Sequence, residues 1–191
     1  MSHATHSRYS GDPAMWVLLL GDTVMYSLFL VFFGYEYRQQ PEVFSQAQST
    51  LHAGFGFFNT LVLLTGSLLV IQAIRQARQN LYSPAQRSLL LAALCGAIFG
   101  TCKIIEYSLA VSAGISITSN AFYLYYFALT GFHFLHVAIG TAVLLWMRRH
   151  LSLSQQQGSQ TANITLLESG ANFWHLVDLL WILLFPIIYL V

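Results

Sequence analysis

The chain predicts an all-α, polytopic membrane protein built as a bundle of five transmembrane helices, on three observations. Hydrophobic residues fill 56% of its 191 positions and charged residues only 8%, against about 25% charged in soluble domains. Five separate apolar runs reach the roughly 20 residues that a helix needs to cross a bilayer. The arginines, finally, fall almost entirely on one side of those runs.

Residues 1–13 are polar and mixed, and are read as a cytoplasmic N-terminus; residues 14–191 then form a single transmembrane domain. The first span covers about 14–33. It is too long for a signal-peptide core and lacks a small-residue cleavage site, so it is expected to be retained. Gln39-Gln40-Pro41 marks the first turn. The second span, 55–74, ends before a turn at residues 80–84. The third, 88–110, carries Gly96 and Gly100 as a small-xxx-small pair that lets helices approach closely. Its two cysteines, Cys95 and Cys102, share a helix face but lie too far apart to bridge. They are expected to be small packing residues, since no metal-binding spacing accompanies them. A short uncharged connector around 114–120 leads to the fourth span, 122–147, and a Gln-rich stretch at 155–160 to the fifth, 171–190. Pro186 should weaken or kink the last turn of that helix. Trp16, Trp146, Trp174 and Tyr189 sit near span ends, as interfacial anchors do. Asn59 and Thr60 are placed to hydrogen-bond across the bundle.

Arg8, Arg75, Arg78, Arg87, Arg148 and Arg149 lie on the N-terminal side of the membrane and Arg38 alone on the other. The positive-inside rule therefore puts the N-terminus in the cytoplasm and the C-terminus outside. The sequon Asn163-Ile164-Thr165 then faces the cytoplasm, where it is a chance match. A net charge of +1 without a basic stripe excludes nucleic acid as a partner.

Ionisable side chains inside a bilayer cost at least a few kcal/mol, so they mark a polar interior, a partner or a pathway. They are Asp22, Lys103, Glu106, His133, His136, His175 and Asp178. At 1.5 Å rise per residue, Asp22, His136, His175 and Asp178 lie about 6–16 Å from the cytoplasmic end and could meet in the inner half of the bundle. Asp22 is read either as a proton-exchanging carboxyl or as a neutral acid hydrogen-bonded to His136. For His133 and His136 the plain alternative is a hydrogen-bonded packing histidine. Lys103 and Glu106, one turn apart, form a self-neutralising intramembrane pair or a docking point for a partner's polar group. His175 differs in depth from His136 by about 10 Å and from His133 by more, which disfavours bis-histidine haem, and no cluster suits a metal. No nucleophile with its base, phosphate loop or dinucleotide fingerprint is present, so no catalytic residue is assigned.

The order of these motifs resembles subunit III of the haem-copper oxidases. The segment Leu20-Gly21-Asp22 is similar to the family helix with a buried carboxylate, and Phe58-Asn59-Thr60-Leu61-Val62-Leu63-Leu64 to its Asn-Thr helix. Glu106-Tyr107 matches the Glu-Tyr of the next helix. Thr130-Gly131-Phe132-His133-Phe134-Leu135-His136-Val137-Ala138-Ile139-Gly140 resembles the TGxHxxHVxxG motif, and Glu168 with Trp174-His175-Leu176-Val177-Asp178-Leu179-Leu180-Trp181 the closing WHxVDxxW helix. Two departures stand out. The classical subunit has seven helices and a buried glutamate, whereas this chain matches the last five and has Asp22. The five-helix form resembles the NorE-type accessory proteins of nitric oxide reductase.

The resemblance implies a non-catalytic subunit in the bacterial inner (plasma) membrane, without activity of its own but part of an oxidoreductase complex. It implies no cofactor on this chain, haem in a partner catalytic subunit, and phospholipid as a candidate ligand. The partner is expected to be a nitric oxide reductase, with a cytochrome c or quinol oxidase, whose proton uptake subunit III supports, as the alternative. A stand-alone proton-conducting protein centred on Asp22 and a b-type cytochrome are the readings from other classes.

Overall fold

The computed structural model describes residues 13–156 and 163–190 and is helical almost throughout. The elements are α1 (Pro13–Gln39), α2 (Pro41–Gln48), α3 (Ala53–Arg78), α4 (Tyr82–Ser112), α5 (Ala121–Gln156) and α6 (Ile164–Tyr189). Five of them, all but α2, are long and apolar enough to cross a membrane. The expected cytoplasmic tail, including Arg8, lies outside the described residues, as does most of the Gln-rich connector.

Each long helix overruns its apolar run, because the run records only the lipid-facing length. The 36 residues of α5 extend about 54 Å, well past a hydrocarbon core of about 30 Å. Two of the turns stop their helices by backbone chemistry. After α3, Asn80 takes a left-handed φ of 60°, and the amides of Asn80 and Leu81 reach back to the Ala77 and Gln76 carbonyls. After α4, Gly114 at φ 79° does the same, with Gly114 and Ile115 bonded to Val111 and Ala110. Both are paired-amide helix stops built around one left-handed residue. Asn163 of the sequon caps α6, its side chain accepting from the Leu166 amide at 3.2 Å.

Helix α2 is an addition to the expected plan. The chain breaks at Gln40 and restarts with Pro41 in the first helical turn, where its missing N–H costs nothing. The helix folds back to bury Phe44, whose ring meets Phe33, Tyr37 and Phe122 edge-on at 5.3–5.8 Å. Gln48 then donates to the Ile188 carbonyl at 3.0 Å, tying α2 to the end of α6. That end does not stop at Pro186: α6 continues to Tyr189.

Helices α3, α4, α5 and α6 pack as a closed ring of neighbours, α3 on α4, α4 on α5, α5 on α6 and α6 on α3. Helix α1 lies outside this ring, against α5 and touching α6 and α2. It buries Tyr26 and Phe33, while Leu20, Val24, Leu28 and Val31 face outward. The ring is filled by α6, whose Trp174 and Trp181 are among the largest fully buried side chains. Trp174 is therefore a core residue at 1% exposure, not the interfacial anchor expected of it. Its slot is made by glycines on three helices: a Cβ on Gly66, Gly96 or Gly140 would stand 3.1 Å from the indole. Tyr189 is likewise buried.

Candidate functional site

The polar interior falls into three groups. The first lies toward the α2 end of the ring, where Lys103 is wholly buried and Glu106 is 6% exposed. The Lys103 ammonium donates to Glu106 Oε2 at 3.1 Å and to the Tyr189 hydroxyl at 2.6 Å. Glu106 Oε1 accepts from Tyr126 at 2.7 Å and also from Tyr189. The rings of Tyr107, Tyr126, Trp181 and Tyr189 surround the ammonium at 5.1–5.6 Å from their centroids. That is within range for cation–π attraction. Tyr107 in turn bonds Thr130 at 2.7 Å. Three helices thus close on one charge pair, α4 supplying both ions, α5 Tyr126 and α6 Tyr189 and Trp181. A cavity of about 280 Å³, lined among others by Thr50, His52, Tyr123 and Tyr126, reaches the Glu106 carboxyl from this end.

The second group joins α1 to α5. His136 Nε2 lies 3.3 Å from Asp22 Oδ2, near enough for ionic attraction although Asp22 Oδ2 lacks an aligned hydrogen bond. His136 Nδ1 is 2.7 Å from the Phe132 carbonyl, which can only accept. That contact assigns a proton to Nδ1. The side chains keep 14% and 18% of their surface exposed, so the pair opens on the outer face of the bundle, with Tyr26 edge-on to His136.

The third group links α3 to α6. His175 Nδ1 lies 3.1 Å from the Ser67 hydroxyl, and buried Asp178 sits beside the same serine with its Oδ1 unpartnered. Asp22, His136, His175 and Asp178 therefore do not form the single cluster expected from their depths. Depth was a sound guide to level, but helix rotation turns His175 toward α3 while His136 turns toward α1. His133 differs too. It is fully buried between Phe99 and Trp181, at ring distances of 5.4 and 5.1 Å, with neither nitrogen hydrogen-bonded. It packs as an aromatic ring, not as the hydrogen-bonded histidine anticipated. Thr60 accepts from Trp181 Nε1 at 3.0 Å, as its position suggested, whereas the Asn59 amide has no partner.

Tyr126, Tyr189 and Ser67 are the site residues that sequence reasoning passed over. Local spacing paired Lys103 with Glu106, but nothing local says which tyrosine from two other helices arrives at that level. Among the described residues no three His, Cys, Asp or Glu side chains gather closely enough to hold a metal ion. Both nitrogens of His136 face oxygen atoms of the chain, and His175 is turned to Ser67. The free thiols Cys95 and Cys102 are half-buried on α4.

A family model described as cytochrome c oxidase subunit III matches residues 52–191, which take in α3 to α6. The cytochrome c oxidase subunit 3 of Bacillus sp. (strain PS3) is 28% identical over 176 residues, 92% of this chain and 83% of that protein. The subunit 3 of Aedes aegypti is 33% identical over 136 residues, 69% of this chain and 48% of that one. The heme-copper oxidase subunit I+III of Aeropyrum pernix is 26% identical over 183 residues, 93% of this chain but only 22% of its relative. The chain thus spans most of the bacterial relative and less than half of the other two.

Proposed function

The chain belongs to the cytochrome c oxidase subunit III family, and on that premise we propose that it is the third subunit of an oxygen-reducing haem-copper oxidase. In this reading it is a multi-pass protein of the bacterial inner membrane that catalyses nothing alone and stabilises a haem-bearing catalytic subunit.

The observation that carries this reading is the near end-to-end match to the Bacillus subunit 3. A relative of similar length bears the name of an oxidase subunit, so a match to five helices does not single out nitric oxide reductase. The oxygen-reducing alternative is thereby favoured over the NorE-type role. The Aeropyrum relative, named as subunits I and III together, supports a catalytic subunit I as the direct partner. Orientation follows from Arg75, Arg78, Arg87, Arg148 and Arg149 at one end of the bundle and the positive-inside rule, with both termini of the reading as before: N-terminus inside, C-terminus outside.

The three polar groups suit a supporting part. The caged Lys103–Glu106 pair locks α4, α5 and α6 together, and no haem or metal is proposed on the chain. Of the three polar groups, the Asp22–His136 pair is the one that opens beside α1 and α5 on the outer face, where lipid is a poor solvent for it. It supplies a polar contact or a proton-exchanging group to whatever lies against α1 and α5. The test is the oxidase activity of membranes from cells that lack the chain. Oxygen consumption should fall or decay faster with turnover, and re-expression should restore it. Unchanged oxygen consumption with a lost nitric oxide consumption would return the chain to the nitric oxide reductase reading.

A further inference from the structure

Toward the α2 end of the ring, the cavity of about 280 Å³ that reaches Glu106 has ring side chains in its walls: His52, Phe55, Tyr123 and Tyr126. Its deeper polar atoms are left as acceptors. Glu106 Oε1 already accepts from Tyr126 and Tyr189, and Oε2 from Lys103. A carboxylate accepts about four hydrogen bonds, so among the described residues one place stays free. Thr50 donates its hydroxyl proton to the Ala47 carbonyl at 2.6 Å. In the 2.8 Å contact between Thr50 and Tyr123 the tyrosine is therefore the donor, and its oxygen keeps only acceptor capacity. The cavity thus holds two acceptors at two levels. Tyr123 starts about 4.5 Å of helix nearer the α2 end than Tyr126, the partner of Glu106.

Lys103 cancels the Glu106 charge at 3.1 Å. A charged head would leave water without a net attraction, which is costly, so a neutral head is favoured. The cavity also has an apolar continuation. Leu51, His52 and Phe55 line both it and an open groove of about 630 Å³ that runs past Phe58 of α3 and Cys102 of α4. Leu61 and Ile98, three and four residues along the same helix faces, are exposed in their turn.

We propose that the cavity and groove together bind one hydroquinone that carries an apolar tail. One hydroxyl of its ring donates to Glu106 and the other to Tyr123. The ring lies among the aromatic walls, and the tail leaves past Phe55 along Phe58 and Leu61. A quinone of the same shape brings two acceptors to two acceptors, and a tail without a donor head leaves both unmet. The site needs only the folded bundle, so its failure leaves the choice of host enzyme untouched.

Anaerobic titration calorimetry of the full chain in mild detergent, with decylubiquinol and decylubiquinone as probes, tests the site. One quinol should bind per chain. The quinone should bind about tenfold more weakly or worse, the scale of a lost hydrogen bond to a charged acceptor. Ala110→Phe, on the cavity wall, should abolish quinol binding, because the added ring takes the place of the ligand's. Val111→Phe, 63% exposed and outside the cavity, should bind as the wild type does. The quinol–quinone comparison uses the unaltered chain, so it decides the matter even where Ala110→Phe fails to fold. Absence of quinol binding, equal affinity for the two forms, or equal behaviour of the two phenylalanine variants would overturn the site.

Discussion

Removing the Lys103 ammonium is the sharpest perturbation of the bundle. In Lys103→Met the side-chain volume is nearly kept, but Glu106, 6% exposed, loses its cationic contact at 3.1 Å. Tyr126 and Tyr189 still donate to Oε1, while Oε2 loses the Lys103 donor. Breaking a buried ion pair on one side costs about 3–5 kcal/mol, and the four aromatic faces around Lys103 also lose their cation. At about 2–4 °C per kcal/mol for a chain of this size, the melting temperature in mild detergent should fall by roughly 10 °C. Lys103→Met combined with Glu106→Gln removes both charges and keeps an acceptor for the tyrosines. It should recover most of the loss, giving a coupling energy of about 2 kcal/mol or more in a double-mutant cycle. A single variant that melts with the wild type, or a double variant that is merely the sum of two losses, would refute the reasoning.

Gly96→Ala places a methyl 2.2 Å from Thr141 Oγ1 and 3.1 Å from Trp174, and should cost about 1–3 kcal/mol. Gly21→Ala, with nothing within 4 Å, should leave the melting temperature unchanged, and thermal scans of the two variants side by side check both. His133→Phe removes two buried nitrogens that have no partner and keeps the stack on Trp181. It should be neutral or stabilising in the same assay, and a loss above about 2 kcal/mol, the scale of an orphaned polar group, would reveal a hydrogen bond on that ring. Asn163→Ala deletes the α6 cap and should destabilise by about 1 kcal/mol, visible as faster amide exchange in the first turn of α6.

The parts of this structure that were readable from the sequence are those set by lipid and by local helix geometry. Lipid requires long apolar helices, which gives five spans, and three residues of spacing put Lys103 and Glu106 on one face. Rise per residue brought Asp22 and His136 to a common level. What stayed hidden depends on how helices are turned about their axes. Trp174 near a span end resembles an anchor until Gly66, Gly96 and Gly140, on three other helices, are seen to make its slot. Tyr189 and Tyr126 share no local signal with Glu106. Ser67 is an ordinary helix serine until α6 presents His175 to it. Helix α2 is eight residues long, too short to announce itself through periodicity.

Affinity purification of the full chain from its native membranes in mild detergent tests the central claim most directly, with the visible spectrum and the gas consumption of the product as readouts. The account predicts co-purification of a haem-containing catalytic subunit whose preparation consumes oxygen. Recovery of a colourless chain alone, under conditions that keep such complexes intact, or of a partner that reduces nitric oxide and not oxygen, would contradict it.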